Sequence, residues 1–415
     1  MTSPLSHIRV LDLSRILAGP WATQFLADMG AEVIKIERPR VGDDTRGWGP
    51  PFAIEPGTDD PGIAAYFMCC NRGKKSVALD ITTLEGQEIV RRLAANSDVL
   101  VENFKVGGLK KYGLDFDTLS QLNPRLIYCS VTGFGQTGPY APRAGYDFLV
   151  QGMGGLMSIT GEPDGVGPSG EKTGGPMKVG VAIADQTTGM NALAAILTAI
   201  IARDKTGKGT HIDVALLDAT ASALVNQASS FHADGTVAGR MGNAHPTVVP
   251  YHVFATADGH IILAVGNDGQ FARFCKAADR PEMAEDERYK TNPGRVVNRD
   301  TLIPELELIF RSRTSATWIE QLEATGVPCG PINNIDEVFD DPQIKHRAMR
   351  REVTWPDGQT TMVTANPVRM TGEDTTASMA PPRLGADTTA VLSEQLGLSE
   401  EQLNELATRN VIERR

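Results

Sequence analysis

From Ile8 to Thr132, short apolar runs alternate with helical stretches, and this alternation constrains the fold more than any other feature of the chain. IRVLDL (8–13) is a short apolar run, Gly19-Pro20 opens a helix that runs through Met29, and Gly30 closes it before EVIKIE (32–37). Proline just inside a helix start and glycine just past its end are expected punctuation. VALDI (77–81), a helix over 84–95, SDVLVEN (97–103), the helical DFDTLSQL (115–122) and RLIYCSVTG (125–133) continue the pattern. Strands separated by helices pair in parallel, so this region predicts a doubly wound, Rossmann-like α/β domain.

A Gly- and Pro-rich stretch from Gly161 to Gly175 precedes a strongly apolar helix over Gln186–Arg203, with Met190, Leu193, Ile196, Leu197, Ile200 and Ile201 spaced to bury one face. TGKGT (206–210) ends that helix, and HIDVALLD (211–218) reads as a strand. From 225 to 330 the texture changes: YHVFAT, a turn at Asp258-Gly259, HIILAVG, then helices over 269–278 and 300–325 predict a smaller α+β domain. The last segment, 336–415, ends in a polar helix, LSEEQLNELATR.

At 415 residues the chain exceeds what one hydrophobic core supports, which agrees with two domains. Its net charge of -11 argues against nucleic-acid or anionic-membrane partners, so an anionic ligand must be met by local cations. Three such groups stand out: Arg38 and Arg40; Arg72, Lys74 and Lys75; and Lys105, Lys110 and Lys111. The N-terminus lacks a basic stretch followed by a long apolar run, and no segment approaches a bilayer span, which predicts a cytoplasmic protein. Cys69, Cys70, Cys129, Cys275 and Cys329 are odd in number and lack metal-ligand spacing, so they read as reduced thiols and no metal site is expected.

In VGVAIADQTTGM (179–190), Asp185 follows small residues and precedes the long apolar helix. By position alone it is an N-cap, its oxygen accepting a backbone N–H for about 1 kcal/mol. The other reading is chemical: a helix N-terminus favours an ionised carboxylate, and a carboxylate can form an acyl intermediate. RGKKS (72–76) and TGKGT (206–210) lack the G-x-x-x-x-G-K-[ST] spacing, which excludes nucleotide hydrolysis. His245, alone in a Pro-flanked loop, reads as structural.

Taken together, DLSRILAGPWATQFLADMGAEVIKIERP, GDDTRGWGPPF, SDVLVENF, RLIYCSVTGFGQTGPY, RAGYDF, KTGKGTHIDVALLD and GVPCGPINN resemble the family III CoA-transferases, a family that includes alpha-methylacyl-CoA racemases. The resemblance runs from about residue 7 to 405. It implies a threaded homodimer in which 1–220 and 336–415 together build the large domain. It also implies coenzyme A and acyl-CoA as substrates with no permanently bound cofactor. Asp185 takes the position of the nucleophile, with Tyr146 and Asp147 beside it. Coenzyme A would contact Leu17, Ala18, Arg38, Leu79, Asp80, Ile81, Thr82, Asn103, Phe104 and Lys111. Of these, Arg38 and Lys111 would meet phosphate charge, and Leu79 and Asp80 would act through backbone atoms.

A racemase would need a histidine where this chain has Tyr146 and a glutamate near Ala255, so the resemblance favours transfer over proton abstraction. The remaining alternative is an inactive subunit of a heteromeric transferase, against which Asp185 argues. Formyl-CoA transferase has a basic residue where Ala144 stands, with Arg143 next to it here, and a run of glycines where this chain has GRMGNAHPTVVPY (239–251). The segments GDDTRGWGPPF, RAGYD and GVPCGPINN look most like the branch that exchanges CoA between succinyl-CoA and short dicarboxylates such as glutarate. Arg46 is a candidate cation for the distal carboxylate, and backbone N–H groups near Gln186 are candidate oxyanion donors.

Overall fold

The computed structural model describes residues 3–57 and 60–414. The chain forms two compact units, one comprising the residues up to Leu156, Val179–Ala228 and Pro342 onward, the other Met157–Lys178 and Ser229–Asp341.

In the first unit, β1 (Arg9–Asp12), β2 (Glu32–Glu37), β3 (Lys75–Leu79), β4 (Val99–Glu102), β5 (Ile127–Thr132), β6 (Thr210–Ala215) and β7 (Ile412–Glu413) form one sheet, ordered β6-β5-β4-β1-β2-β3-β7. All neighbours pair in parallel except β7, which runs antiparallel to β3. The order starts at the centre, runs outward through β2 and β3, then reverses to β4 on the other side of β1. That is the doubly wound topology expected from the alternation.

Both faces of this sheet are covered, which explains why its strands read as nearly continuous apolar runs. Val10, Val33, Val99 and Ile127 pack into one core with α1 (Ala18–Asp28) and α5 (Ile183–Thr206). Leu11, Ile34 and Leu100, one residue on, pack into the other with α2 (Leu84–Ala95), α3 (Phe116–Leu122) and α7 (Thr388–Leu396). The period of two along each strand sends neighbours to opposite faces. Helices α4 (Asp147–Met153) and α6 (Leu216–Ser222) contribute Val150 and Leu216 to the first core. Gly189 lets α5 approach α1 closely, because a Cβ there would stand 2.6 Å from the Ala18 carbonyl oxygen.

The second unit holds an antiparallel sheet of residues 251–255, 260–264 and 329–330, with helices packed around Phe254, Phe274, Phe310 and Trp318. It also contains Met157–Lys178, which the sequence placed within a continuous 1–220 segment. The reason is local: this stretch folds into a hairpin tied to residues 240–242, with Gly242 N–H donating to Gly161 O at 3.0 Å and Arg240 bonding to Glu162 O and Asp164. The expected single helix over 300–325 is two, Arg299–Phe310 and Ser315–Ala324, because the Thr314 hydroxyl caps the second by accepting from Thr317 N–H. Similarly, HIDVALLD leaves the sheet at Ala215, and Leu216 begins a helix. Among the described residues no helix is long and apolar enough to cross a membrane.

Candidate active site

Open α/β sheets bind ligands beyond the carboxyl ends of the strands where the order reverses. Here that place lies between β1 and β4, where the chain continues as Leu13–Arg15 and Asn103–Phe104. The two turns are stitched together: Arg15 N–H donates to Asn103 Oδ1 at 2.9 Å, and Asn103 Nδ2 donates to Arg15 O at 2.7 Å. The Arg15 guanidinium lies 5.8 Å from the Phe104 ring centroid and pairs with Asp44 at 2.7 Å.

Two cavities open at this edge. The smaller, about 190 Å³, is lined by Arg38, Leu79, Asp80, Ile81, Thr82 and Phe104, together with Arg15 and Tyr112. The larger, about 450 Å³, is lined by Ala18, Asn103, Phe104, Lys111, Tyr146 and Asp185, again with Arg15 and Tyr112. Nine of the ten residues expected to contact coenzyme A, with Tyr146 and Asp185, thus converge on one edge of one sheet. Leu17 does not: its side chain is buried at the start of α1. One Asp80 oxygen accepts from Thr82 N–H and hydroxyl, at 2.9 and 2.7 Å, and its backbone is bonded too, the N–H to Val411 O at 2.8 Å and the carbonyl to the Thr83 hydroxyl at 2.8 Å, so the backbone role expected of Asp80 falls away.

Asp185 is not the N-cap of its helix. Ala182 is, and it has no side chain able to cap, so Asp185 is the third helical residue. The first-turn N–H groups are served from elsewhere: one oxygen of Asp147 accepts from Ala184 N–H at 2.8 Å and from Asp185 N–H at 3.3 Å. Its other oxygen accepts from Gln151 Nε2 at 2.7 Å, and Gln151 Oε1 accepts from Val179 N–H at 2.9 Å. Gln186 N–H closes onto Ala182 O at 3.1 Å, so the N–H groups around Gln186 are already used and the oxyanion role expected there falls away. Burial, then the charge of Asp147, pushes the Asp185 carboxyl up to about 7. Tyr66 is pushed up to about 12 by burial and then by Asp185, and it packs edge-on against Trp48 at 5.0 Å.

Tyr146 is well exposed beside this carboxylate in the larger cavity. The segment that carries it crosses β5 at a pair of glycines: a Cβ on Gly133 would stand 2.5 Å from Gly145 Cα. Arg143, next to Ala144, stacks on Tyr140 and Phe134 at 4.7 and 5.1 Å.

Arg46 cannot reach a ligand. It is fully buried, donates to both oxygens of Glu37 at 2.8 and 2.7 Å and to Pro382 O at 3.0 Å, and lies 3.8 Å over the Phe67 ring. Burial alone would raise the Glu37 carboxyl, but Arg46, Lys35 and Ser76 hold it at about 2. Two cations of the Arg72 group are likewise internal: Arg72 grips Asp28, and Lys74 meets Asp12 at 3.0 Å. Lys75 pairs with Glu32. The cations that line the two cavities are Arg15, Arg38, Lys105, Lys111 and Arg143. Arg15 escaped the sequence reading, although a basic residue directly after the first strand of such a sheet is a usable signal.

Residues 5–388 match the family described as CoA-transferase family III. The succinate–glutarate CoA-transferase of Agrobacterium fabrum (strain C58 / ATCC 33970) is 49% identical over 396 residues, which is 94% of this chain and 95% of that protein. The human succinyl-CoA:glutarate CoA-transferase is 42% identical over 410 residues, 99% of this chain and 90% of that one. The crystal structure of a CAIB/BAIF family protein from Brucella suis superposes with a TM-score of 0.83 at 48% identity, covering 95% of this chain and all of that one. The chain belongs to the family III CoA-transferases, enzymes that transfer coenzyme A.

Proposed function

We propose that the chain moves coenzyme A from succinyl-CoA to glutarate or a similar short dicarboxylate, with Asp185 as the covalent relay. The observation that carries this is the placement of the Asp185 carboxylate: half-buried, at the mouth of α5, in the cavity that also holds Asn103, Phe104, Lys111 and Tyr146. Relatives at 49% and 42% identity that act on succinyl-CoA or succinate and glutarate support the substrate pair.

An Asp185 oxygen attacks the thioester carbonyl of succinyl-CoA, the C–S bond breaks, and CoA thiolate leaves a mixed anhydride. The thiolate attacks the aspartyl carbonyl and expels succinate, forming an aspartyl-CoA thioester. A glutarate carboxylate attacks that thioester carbonyl, displacing the thiolate and forming a second anhydride. The thiolate then attacks the glutaryl carbonyl, yielding glutaryl-CoA and restoring the Asp185 carboxylate.

In this reading the two cavities share the coenzyme. Arg38 and Lys111 take phosphate charge, residues 79–82 and Phe104 line the path, and Ala18, Asn103 and Tyr146 lie nearer the thioester. Asp147 positions α5, and burial together with the Asp147 charge keeps the pKa of Asp185 high, which makes its carboxylate a stronger nucleophile once ionised. We place the enzyme in the cytoplasm as a threaded homodimer; its five free cysteine thiols suit a reducing compartment.

The test is Asp185→Ala in an exchange assay read by mass spectrometry. The variant is expected to lose exchange while still binding CoA. Hydroxylamine added after succinyl-CoA is expected to label Asp185 in the parent protein; turnover retained by Asp185→Ala would sink the reading.

A further inference from the structure

The mechanism above leaves one buried acid at the cavity edge without a task. Glu102 is the last residue of β4, next to the Asn103–Phe104 turn, and it is buried. One of its oxygens accepts the Phe104 N–H at 2.7 Å. Ser130 stands in register with it on the neighbouring strand, and the Ser130 hydroxyl works against burial in setting the pKa of the Glu102 carboxyl. Ser130 Oγ is in turn 2.9 Å from His211 Nε2, and the His211 ring stacks on Phe116 with centroids 5.0 Å apart. A row of polar groups therefore runs from the Phe104 backbone through Glu102 and, on the next strand, Ser130 to an exposed imidazole on β6.

What this row holds is the wall between the two cavities. Phe104 lines both. Its turn is fastened on one side by the reciprocal Arg15–Asn103 bonds and on the other by Glu102. A buried acid is costly to desolvate, and the chain accepts this cost where a serine or threonine could satisfy one N–H. Burial pushes the Glu102 carboxyl up to about 7, and above that pH, where it is ionised, its bond to the backbone N–H is charge-assisted and roughly twice as strong as a neutral one.

We propose that Glu102 is a positioning residue for the CoA thioester, fixing the Asn103–Phe104 turn against which the coenzyme lies, with Ser130 and His211 bracing the carboxylate from behind. This rests on the reading that the two cavities receive coenzyme A.

The experiment is steady-state exchange with Glu102→Ala, Glu102→Gln and Ser130→Ala, beside CoA binding by calorimetry and thermal melts of each variant. Glu102→Ala is expected to raise KM for succinyl-CoA and Kd for CoA about tenfold, with kcat within threefold and KM for glutarate unchanged. Glu102→Gln should recover most of this, because its amide oxygen still accepts from Phe104 and its amide N–H₂ still reaches Ser130. Ser130→Ala should raise KM for succinyl-CoA a few-fold. If Glu102→Ala fails to fold, the other two variants carry the test. Unchanged thioester KM and CoA Kd in folded variants overturn the positioning role. So does a rise in both substrates' KM that tracks a fall in melting temperature, since that is general loosening. The underlying reading fails separately, if CoA protects neither Arg38 nor Lys111 from chemical modification in the parent protein.

Discussion

The carboxylate of Asp147 accepts the backbone N–H of Asp185 at 3.3 Å, so two acids 38 residues apart are tied together through the first turn of α5. A helix start favours a negative charge, and here two acids compete for it. Asp147 takes the N–H groups, and Asp185 is left with burial and a like charge beside it, which carry its pKa to about 7.

The rate should follow that carboxyl. Only the ionised form attacks, so kcat/KM is expected to rise with pH through about 7 and level off above it. Asp147→Asn keeps an amide oxygen for the N–H groups but removes the neighbouring charge, and its midpoint should move to lower pH. A pH–rate profile of both proteins checks this; an unmoved midpoint would show that burial alone sets the shift.

Stability should move the other way. The ordinary value for Asp185 is 3.8 and the folded value about 7, so the unfolded chain ionises first as pH rises. Folding therefore loses stability between about pH 4 and 7, and the loss is complete above that window. Asp185→Asn is expected to melt about 1–3 °C higher than the parent at pH 8, with the difference shrinking toward pH 4. Calorimetric scans at the two pH values decide it.

Arg46 and Glu37 form a buried pair. Removing one partner strands the other, so Arg46→Leu should cost about 3–5 kcal/mol in denaturant unfolding. Because Glu37 is held at about 2 against an ordinary 4.5, its contribution is present above pH 4.5 and lost as pH falls toward 2. An Arg46 variant as stable as the parent, with only the acceptor KM altered, would return Arg46 to the substrate site.

The glycine crossing offers a test of position. Gly145→Ala forces its new Cβ against the Gly133 backbone and displaces the Tyr146–Asp147 segment that orders α5. Exchange is expected to fall at least tenfold, with a stability loss of about 1–3 kcal/mol typical of overpacking. Activity close to the parent's would mean that the segment shifts without disturbing Asp185.

What the sequence determined by itself was the part of the design that is periodic or local. Alternating apolar runs and helix punctuation were enough for the doubly wound sheet, because sheet and helix periods are written residue by residue in β1 to β5. They were weaker where a boundary depends on one cap, as at Thr314, or on a strand turning into a helix, as at Ala215. Family motifs brought Asp185, Asn103, Phe104 and Lys111 into view, and the fold gathers them at one edge.

Tertiary structure alone decided which charges face the ligand. Arg72, Lys74 and Arg46 look as available in sequence as Arg38 and Lys111. They are withdrawn because Asp28, Asp12 and Glu37 meet them inside the protein, 44, 62 and 9 residues away along the chain. Asp147 is the converse case: the resemblance set it beside the nucleophile, and only folding gave its carboxylate the first-turn N–H groups of α5. A side chain's charge is written in the sequence, but its partner and its exposure to water exist only once the chain has closed on itself.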